Sequence, residues 1–296
     1  MRKLVIALVA LMPLSGAVQA QTPKDLIAAL LVKWNEPTTP FKMIGNVYYV
    51  GTNGLASYLI TSPQGHILVD TVMQDATSQI KGNIEKLGFK ITDIKYLLNT
   101  HAHIDHTGGL AEMKAASGAQ LVAGEADKPL LEGGYYPGAR EDTALAFPPV
   151  KVDRTVREGD TVTIADVTLT ARETPGHSPG CTSWEFSVKD GDATRSALIF
   201  CSGTVALNRL VTNPTYPGIV TDYKKTFARA QDMKPDVLLA PHPEMYKMAE
   251  KRAKLAEGGP NPFVNPGEFN AYAATLEKAF EDALAKQTAA AQEKKG

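Results

Sequence analysis

Apolar and polar positions along this chain change period repeatedly. Residues 22 to 35 (TPKDLIAALLVKWN) carry apolar side chains at helical spacing, and Pro37 and Pro40 end that pattern. The β-rich runs VYYVG and ASYLIT follow, then HILVD at 66 to 70. Residues 75 to 88 return to helical spacing, and IKYLLN reads as a buried strand. The pattern continues with a helix near 108 to 116 and a short strand, AQLVAG. The stretch from 132 to 150 (EGGYYPGAREDTALAFPPV) is rich in Gly and Pro and predicts a long surface loop, a kind of segment that often carries function. Beyond it, TVTI and VTLTA alternate around Ala165 and Asp166, as a hairpin does. CTSWEFSV and SALIFCSG add two strands, residues 221 to 233 a helix, DVLLA at 236 to 240 a strand, and residues 267 to 291 an amphipathic helix. Strands and helices recur in similar order in both halves. This predicts an α/β fold in which two sheets pack together with helices outside, as one domain.

The first twenty residues stand apart. Arg2 and Lys3 precede an apolar run from Leu4 to Leu14 and a small-residue ending, Val18-Gln19-Ala20. That order predicts a signal peptide over 1–20, cleaved before Gln21, a mature domain over 21–296 and a periplasmic destination. The apolar run is too short to span a bilayer, and no cysteine follows the cleavage point to carry a lipid. Loss of Arg2 and Lys3 takes the formal net charge from −1 to −3. So balanced a charge argues against nucleic acid or an anionic membrane as a partner. Apolar residues at 44% and charged residues at 21% suit a globular chain with a sizeable core. The two cysteines, Cys181 and Cys201, each sit in a strand-like run. Export permits a disulfide between them, which is the expectation; two buried thiols are the alternative.

The chemistry concentrates in NTHAHIDHTGG, residues 99 to 109. His101, His103, Asp105 and His106 fall within six positions, and the whole chain has only six histidines. Residues two apart in an extended chain point the same way, so His101 and His103 can bind one ion from a strand end. Asp105 and His106 follow where the chain turns into the next helix, and Gly108 and Gly109 permit a close turn there. Imidazole and carboxylate are good zinc ligands. Burying them unpaired would waste several kcal/mol of desolvation; a polar loop of solvated histidines is the bland alternative. His177 in TPGHSPG and His242 in LLAPHPE also follow strand-like runs, where functional groups of α/β folds gather. His66 opens a strand and reads as structural. Asp70 ends that strand, either as an acceptor fixing a ligand imidazole or as a turn residue.

The pattern HxHxDH, with TPGHSPG and the late His242, resembles the metallo-β-lactamase superfamily over roughly residues 22 to 285. The resemblance implies a four-layer αββα sandwich and two Zn2+ ions. His101, His103 and His177 would hold one, and Asp105, His106 and His242 the other. Relatives that cleave thioesters and lactones usually carry a bridging aspartate where this chain reads IFCSGTV, residues 199 to 205, with none. Ser202 in that place, and ALNRLVTNPTYPGIVTDY after it, look like class B β-lactamases of the third subclass, of rhizobial type. That likeness implies hydrolysis of the β-lactam amide in penicillins, cephalosporins and carbapenems by a zinc-held hydroxide, and hence antibiotic resistance. In it, Asp105 orients the hydroxide, and Ser202 and Thr204 bind the substrate carboxylate, unless they are ordinary strand-end hydroxyls. A cysteine ligand at Cys201, as in the first zinc subclass, would exclude the disulfide. The aromatics Trp34, Phe41, Tyr135 and Tyr136 either wall the cleft or, as we expect, simply pack.

The β-lactam antibiotics are thus the expected partners of a chain expected to be monomeric. Two other readings remain at this level. One is a secreted hydrolase of another ester, thioester or lactone on the same scaffold. The other is a metal-storage protein, which full protein ligation without an open position would support.

Overall fold

The computed structural model describes residues 32–294. Both the signal peptide over 1–20 and most of the helix expected over 22 to 35 lie outside them; Val32 to Trp34 are helical.

Seven strands form the first sheet in chain order: β1 (Phe41–Ile44), β2 (Val47–Tyr49), β3 (Tyr58–Ser62), β4 (Gly65–Val69), β5 (Ile94–Leu98), β6 (Gln120–Gly124) and β7 (Arg154–Val156). Its first four strands pair antiparallel and β4 to β7 pair parallel. The second sheet runs β12 (Val237–Leu239), β11 (Ala193–Ile199), β10 (Thr182–Asp190), β9 (Val167–Glu173) and β8 (Thr161–Ile164), with β11 and β12 parallel and the other pairs antiparallel.

The near-continuous apolar runs of the central strands follow from burial on both faces. Side chains alternate across a strand. Ile67 and Val69 of β4, Leu98 of β5 and Val122 of β6 join one core with Leu169, Trp184 and Phe186 of the facing sheet. Leu68, Leu97 and Leu121 join another, under α1 (Thr77–Lys86) and α3 (Leu110–Ser117). On the far side, α5 (Ile219–Asp232) and α7 (Glu268–Glu293) bury Tyr223, Phe227, Leu276 and Phe280 against the second sheet. Helix, sheet, sheet, helix is the four-layer sandwich expected from the sequence. Among the described residues, no helix is long and apolar enough to cross a membrane.

Four elements depart from the sequence reading. β1 and β7 are three or four residues long, too short to show a period. α4 (Lys128–Gly133) begins before the 132-to-150 loop and fills its first two positions. α6 (Met248–Glu257) buries only Met248 and Lys251, so it lacks the apolar stripe that announces a helix. The Lys251 ammonium pairs with Glu268 of α7 and lies 5.7 Å from the Tyr246 ring centroid.

Candidate metal centre

Every candidate ligand stands just beyond the carboxyl end of a strand. His101 and His103 leave β5 in extended backbone, and α2 (Ile104–Thr107) places Asp105 and His106 in its single turn. His177 lies between β9 and β10, and His242 follows β12 with extended φ and ψ of −116° and 126°. Both sheets end at the same edge, so the three loops meet. The ring centroids of His101, His103 and His177 are 4.5–4.7 Å apart, and those of His106 and His242 are 5.0 Å apart. His101 also lies 4.5 Å from His106, joining the two groups. Within each set, His101–His103–His177 and Asp105–His106–His242, one donor atom per residue falls within 4.8 Å of the others.

Gly108 and Gly109 serve a purpose other than the turn expected of them. Both have ordinary helical φ, −53° and −88°. A Cβ at Gly108 would come within 2.4 Å of Gln74 N, and one at Gly109 within 2.6 Å of Thr71 O. Glycine is needed because the ligand loop presses on the 71–74 backbone. That backbone is itself strained, with φ of 58° at Asp70 and 53° at the β-branched Val72.

Hydrogen bonds away from the cluster set which imidazole nitrogen faces it. The Thr100 hydroxyl donates to Asp70 Oδ2 at 2.6 Å, so toward His101 Nδ1, 3.0 Å away, it can only accept. His177 Nδ1–H donates to Thr204 O at 2.7 Å, and His242 Nδ1–H to Gly54 O at 3.2 Å. In all three rings Nε2 is left as a lone pair. His101 Nε2, His103 Nε2 and His106 Nδ1 are buried without a hydrogen-bond partner. Asp105 Oδ2 lies 3.1 Å from His106 Nε2 and 3.3 Å from His242 Nε2. With Nδ1 turned to Gly54 O, His242 aims Nε2 at that carboxylate, and a cation between the two would be shared by both.

The protonation states of His101, His103 and His177 agree with a metal. Burial, with the neighbouring imidazoles, holds His101 and His103 well below the usual histidine range and takes His177 down to about 4. These rings are neutral at pH 7, as ligands must be. Burial alone would raise the Asp105 carboxyl, but the charge of His106 and the hydrogen bond from it outweigh burial and hold it well below the usual carboxylate range. Conversely, burial lowers His106 while Asp105, then Asp70, raise it more. Imidazole nitrogens with one carboxylate suit a borderline divalent ion. Three protein ligands per set leave positions open, which is the arrangement of catalytic rather than storage sites.

A pH dependence follows for the metal-free protein. His177 is depressed relative to the unfolded chain, so its stabilisation is complete above pH 6.5 and is lost as pH falls toward 4. His101 and His103 act in the same sense. Asp70 and Asp127, raised to about 6 by burial, oppose this between pH 6 and 3.8, and the raised His106 opposes it above pH 6.5. His177 alone removes on the order of 2 kcal/mol between pH 7 and 5, about what the two aspartates together return, so His101 and His103 decide the sign. Urea midpoints of the metal-free protein should therefore be lower at pH 5 than at pH 7; equal or rising midpoints would contradict the buried neutral imidazoles.

The remaining candidates separate clearly. Asp70 sits at the positive-φ turn, and its carboxylate accepts from Thr100 N, Thr100 Oγ1 and Asn99 Nδ2 rather than from an imidazole; it reaches His101 only through the Thr100 hydroxyl. His66 packs on Phe89 in β4, away from the cluster, as a structural residue would. Cys181 and Cys201 form the disulfide, with Cα atoms 5.8 Å apart. Ser202 and Thr204 lie beside His177, with their hydroxyls 3.2 Å apart. The packing expected of the four aromatics holds for Phe41, stacked on Tyr49, and for Tyr135, under Arg140. It fails for the other two, because Tyr136 stacks on His103 at 4.3 Å and Trp34 lies 4.9 Å from His242. Sequence reasoning missed Thr100, Asn208, Tyr223 and Asp127. Asn208 Nδ2 donates to His177 O, and Tyr223 OH donates to the same Thr204 carbonyl that His177 uses. Of these only Asp127, close after a parallel strand as Asp70 is, offered a sequence signal.

A profile of the metallo-beta-lactamase superfamily matches residues 50–242. BJP-1, a subclass B3 metallo-beta-lactamase of Bradyrhizobium japonicum, is 64% identical, covering 87% of this chain and 98% of that one, with a TM-score of 0.86. FEZ-1, a metallo-beta-lactamase from Legionella gormanii, is 37% identical, covering 86% of this chain and 98% of that one, with a TM-score of 0.82. A curated hydroxyacylglutathione hydrolase of Rhodospirillum rubrum is 36% identical over 121 residues, 41% of this chain. The match spans only 36% of that relative's length. A profile match through most of the domain, and overlap with a B3 structure along nearly its whole length, place this chain in the metallo-beta-lactamase superfamily, on its subclass B3 branch.

Proposed function

We propose that this chain hydrolyses the amide bond of β-lactams with two zinc ions, one held by His101, His103 and His177 and one by Asp105, His106 and His242. The observation that carries the reading is the adjacency of the two three-ligand sets, joined at His101 and His106, with ring centroids 4.5 Å apart. Zinc supplies Lewis acidity and lowers the pKa of bound water from 15.7 to about 7. The protein's own groups do the rest. Thr100, Thr204 O and Gly54 O fix the tautomers of His101, His177 and His242. Asp105, kept ionised, turns Oδ2 toward His106 Nε2 and His242 Nε2 within its own set and would orient the attacking water from there.

Ser202 and Thr204, beside His177, receive the substrate carboxylate. Hydrogen bonds to charged groups contribute about 1.5–3 kcal/mol. Thr204→Ala should therefore raise KM roughly 10- to 100-fold with little change in kcat, and Ser202→Ala should act in the same sense. Steady-state kinetics on a penicillin check this; an unchanged KM in both variants would remove these hydroxyls from substrate binding.

The relatives that act on thioesters and lactones support a second reading, a hydrolase of such substrates. The residues at 199–205, with hydroxyls and no carboxylate, favour the β-lactam reading. Purified mature protein assayed on a carbapenem and on a glutathione thioester, each with and without chelator, separates the two. Chelator-sensitive thioester hydrolysis with no carbapenem turnover would replace our reading. We place the enzyme in the periplasm as a monomer, exported by the 1–20 segment and conferring β-lactam resistance; that segment's composition and the disulfide support export.

A further inference from the structure

Asp127 lies at the start of α4, and its side chain is buried, 1% exposed. It stands at the N-cap position, where an aspartate usually accepts from its own helix. It makes no such bond. Its carboxylate is turned instead onto two other segments. Oδ2 accepts from Ala102 N at 2.8 Å and from Ser178 Oγ at 2.7 Å, and Oδ1 accepts from Gly180 N at 2.7 Å. Ala102 is the residue between His101 and His103, and Ser178 follows His177.

Two glycines make this approach possible. A Cβ at Gly180 would come within 2.3 Å of Asp127 N and 2.7 Å of Asp127 Cβ. One at Gly124 would come within 2.1 Å of Gly180 O. Both contacts are to backbone or to a short side chain, so neither can yield cheaply. The chain omits side chains at two places where the loops must close on this carboxylate. Three charge-assisted hydrogen bonds then tie together two loops that no local pattern links.

We propose that Asp127 is a positioning residue that couples the loop of His101 and His103 to the loop of His177, and so sets the metal affinity of the three-histidine set without acting on Asp105, His106 and His242. The proposal rests on the metal reading above. Groups that orient ligands typically change metal affinity 10- to 100-fold when removed. Here the mechanism is preorganisation: without Asp127, His177 keeps Thr204 O and Asn208, but its loop is no longer tied to the backbone between His101 and His103.

The test is zinc titration of the metal-free full-length mature protein, in competition with a chromophoric chelator, read as two dissociation constants. The parent should take two equivalents; if it takes none, the metal reading fails, separately from this proposal. In Asp127→Ala one constant should weaken about 10- to 100-fold and the other stay within about threefold. Asp127→Asn should fall between, because its amide oxygen can still accept from Ala102 and Ser178 while its NH2 group meets Gly180 N–H. Adding Asp127→Ala to His177→Ala should leave the remaining equivalent unchanged. A lower Tm with both constants unaltered would mean a merely structural role and overturn the proposal, as would equal weakening of both. If Asp127→Ala does not fold, Asp127→Asn and Ser178→Ala are judged by the same criteria.

Discussion

On the function proposed above, His177→Ala should lower kcat/KM for a carbapenem by about 10³-fold or more and remove one zinc equivalent. A Lewis acid at the reacting carbonyl contributes several kcal/mol of charge stabilisation, and about 4 kcal/mol corresponds to about 10³ in rate. The substitution is informative because the loop does not depend on the imidazole. Asn208 holds His177 O, and Asp127 holds Ser178 Oγ and Gly180 N. Thr204 O, which loses His177 Nδ1–H, keeps the Tyr223 hydroxyl at 2.7 Å. The metal-free variant should therefore keep the parent's circular dichroism. Kinetics and zinc stoichiometry on one preparation decide the matter; full turnover in a folded variant would remove His177 from the site.

Replacing both Cys181 and Cys201 with alanine should cost about 3 kcal/mol of stability. The bridge closes a loop with a sequence separation of 20 residues, and the chain-entropy model gives roughly that value for such a loop. Both cysteines are buried, so alanine leaves no thiol to hydrate. For a domain of this size the loss corresponds to a fall in Tm of about 5 °C. The bridge ties the residue before β10 to the residue before Ser202, and Cys201 Sγ lies 3.2 Å from Thr100 O, beside His101. The same variant should retain turnover at 25 °C within a few-fold, because Asp127 and Asp70 hold the ligand loops independently of it. Calorimetry of the metal-free double variant checks the first part; an unchanged Tm would show that the bridge stabilises nothing.

Much of the site was legible because its ingredients are local. HxHxDH stands in six consecutive positions, and a period of two puts His101 and His103 on one side of an extended chain. Strand ends before His177 and His242 were visible from the apolar runs that precede them. The same locality explains the errors. Gly108 and Gly109 suggested a turn, but their reason is the 71–74 backbone packed against them, which no neighbouring residue reveals. Tyr135 and Tyr136 are adjacent and chemically alike, yet one lies under Arg140 and the other stacks on His103. Tyr223, on a helix far along the chain, had no signal linking it to Thr204.

Chain order and residue type by themselves determined the fold class, the donor residues and the edge of the sheets at which those residues would gather. Hydrophobic periodicity and ligand chemistry are properties of short segments, and they survive without a third dimension. The tertiary structure alone decided which distant loops touch, which nitrogen of each ring faces inward, and which carboxylate stands behind which histidine. Those outcomes depend on two sheets packing face to face. That packing brings Cys201 against Thr100 across 101 residues, a separation over which no pattern in a single chain carries distance.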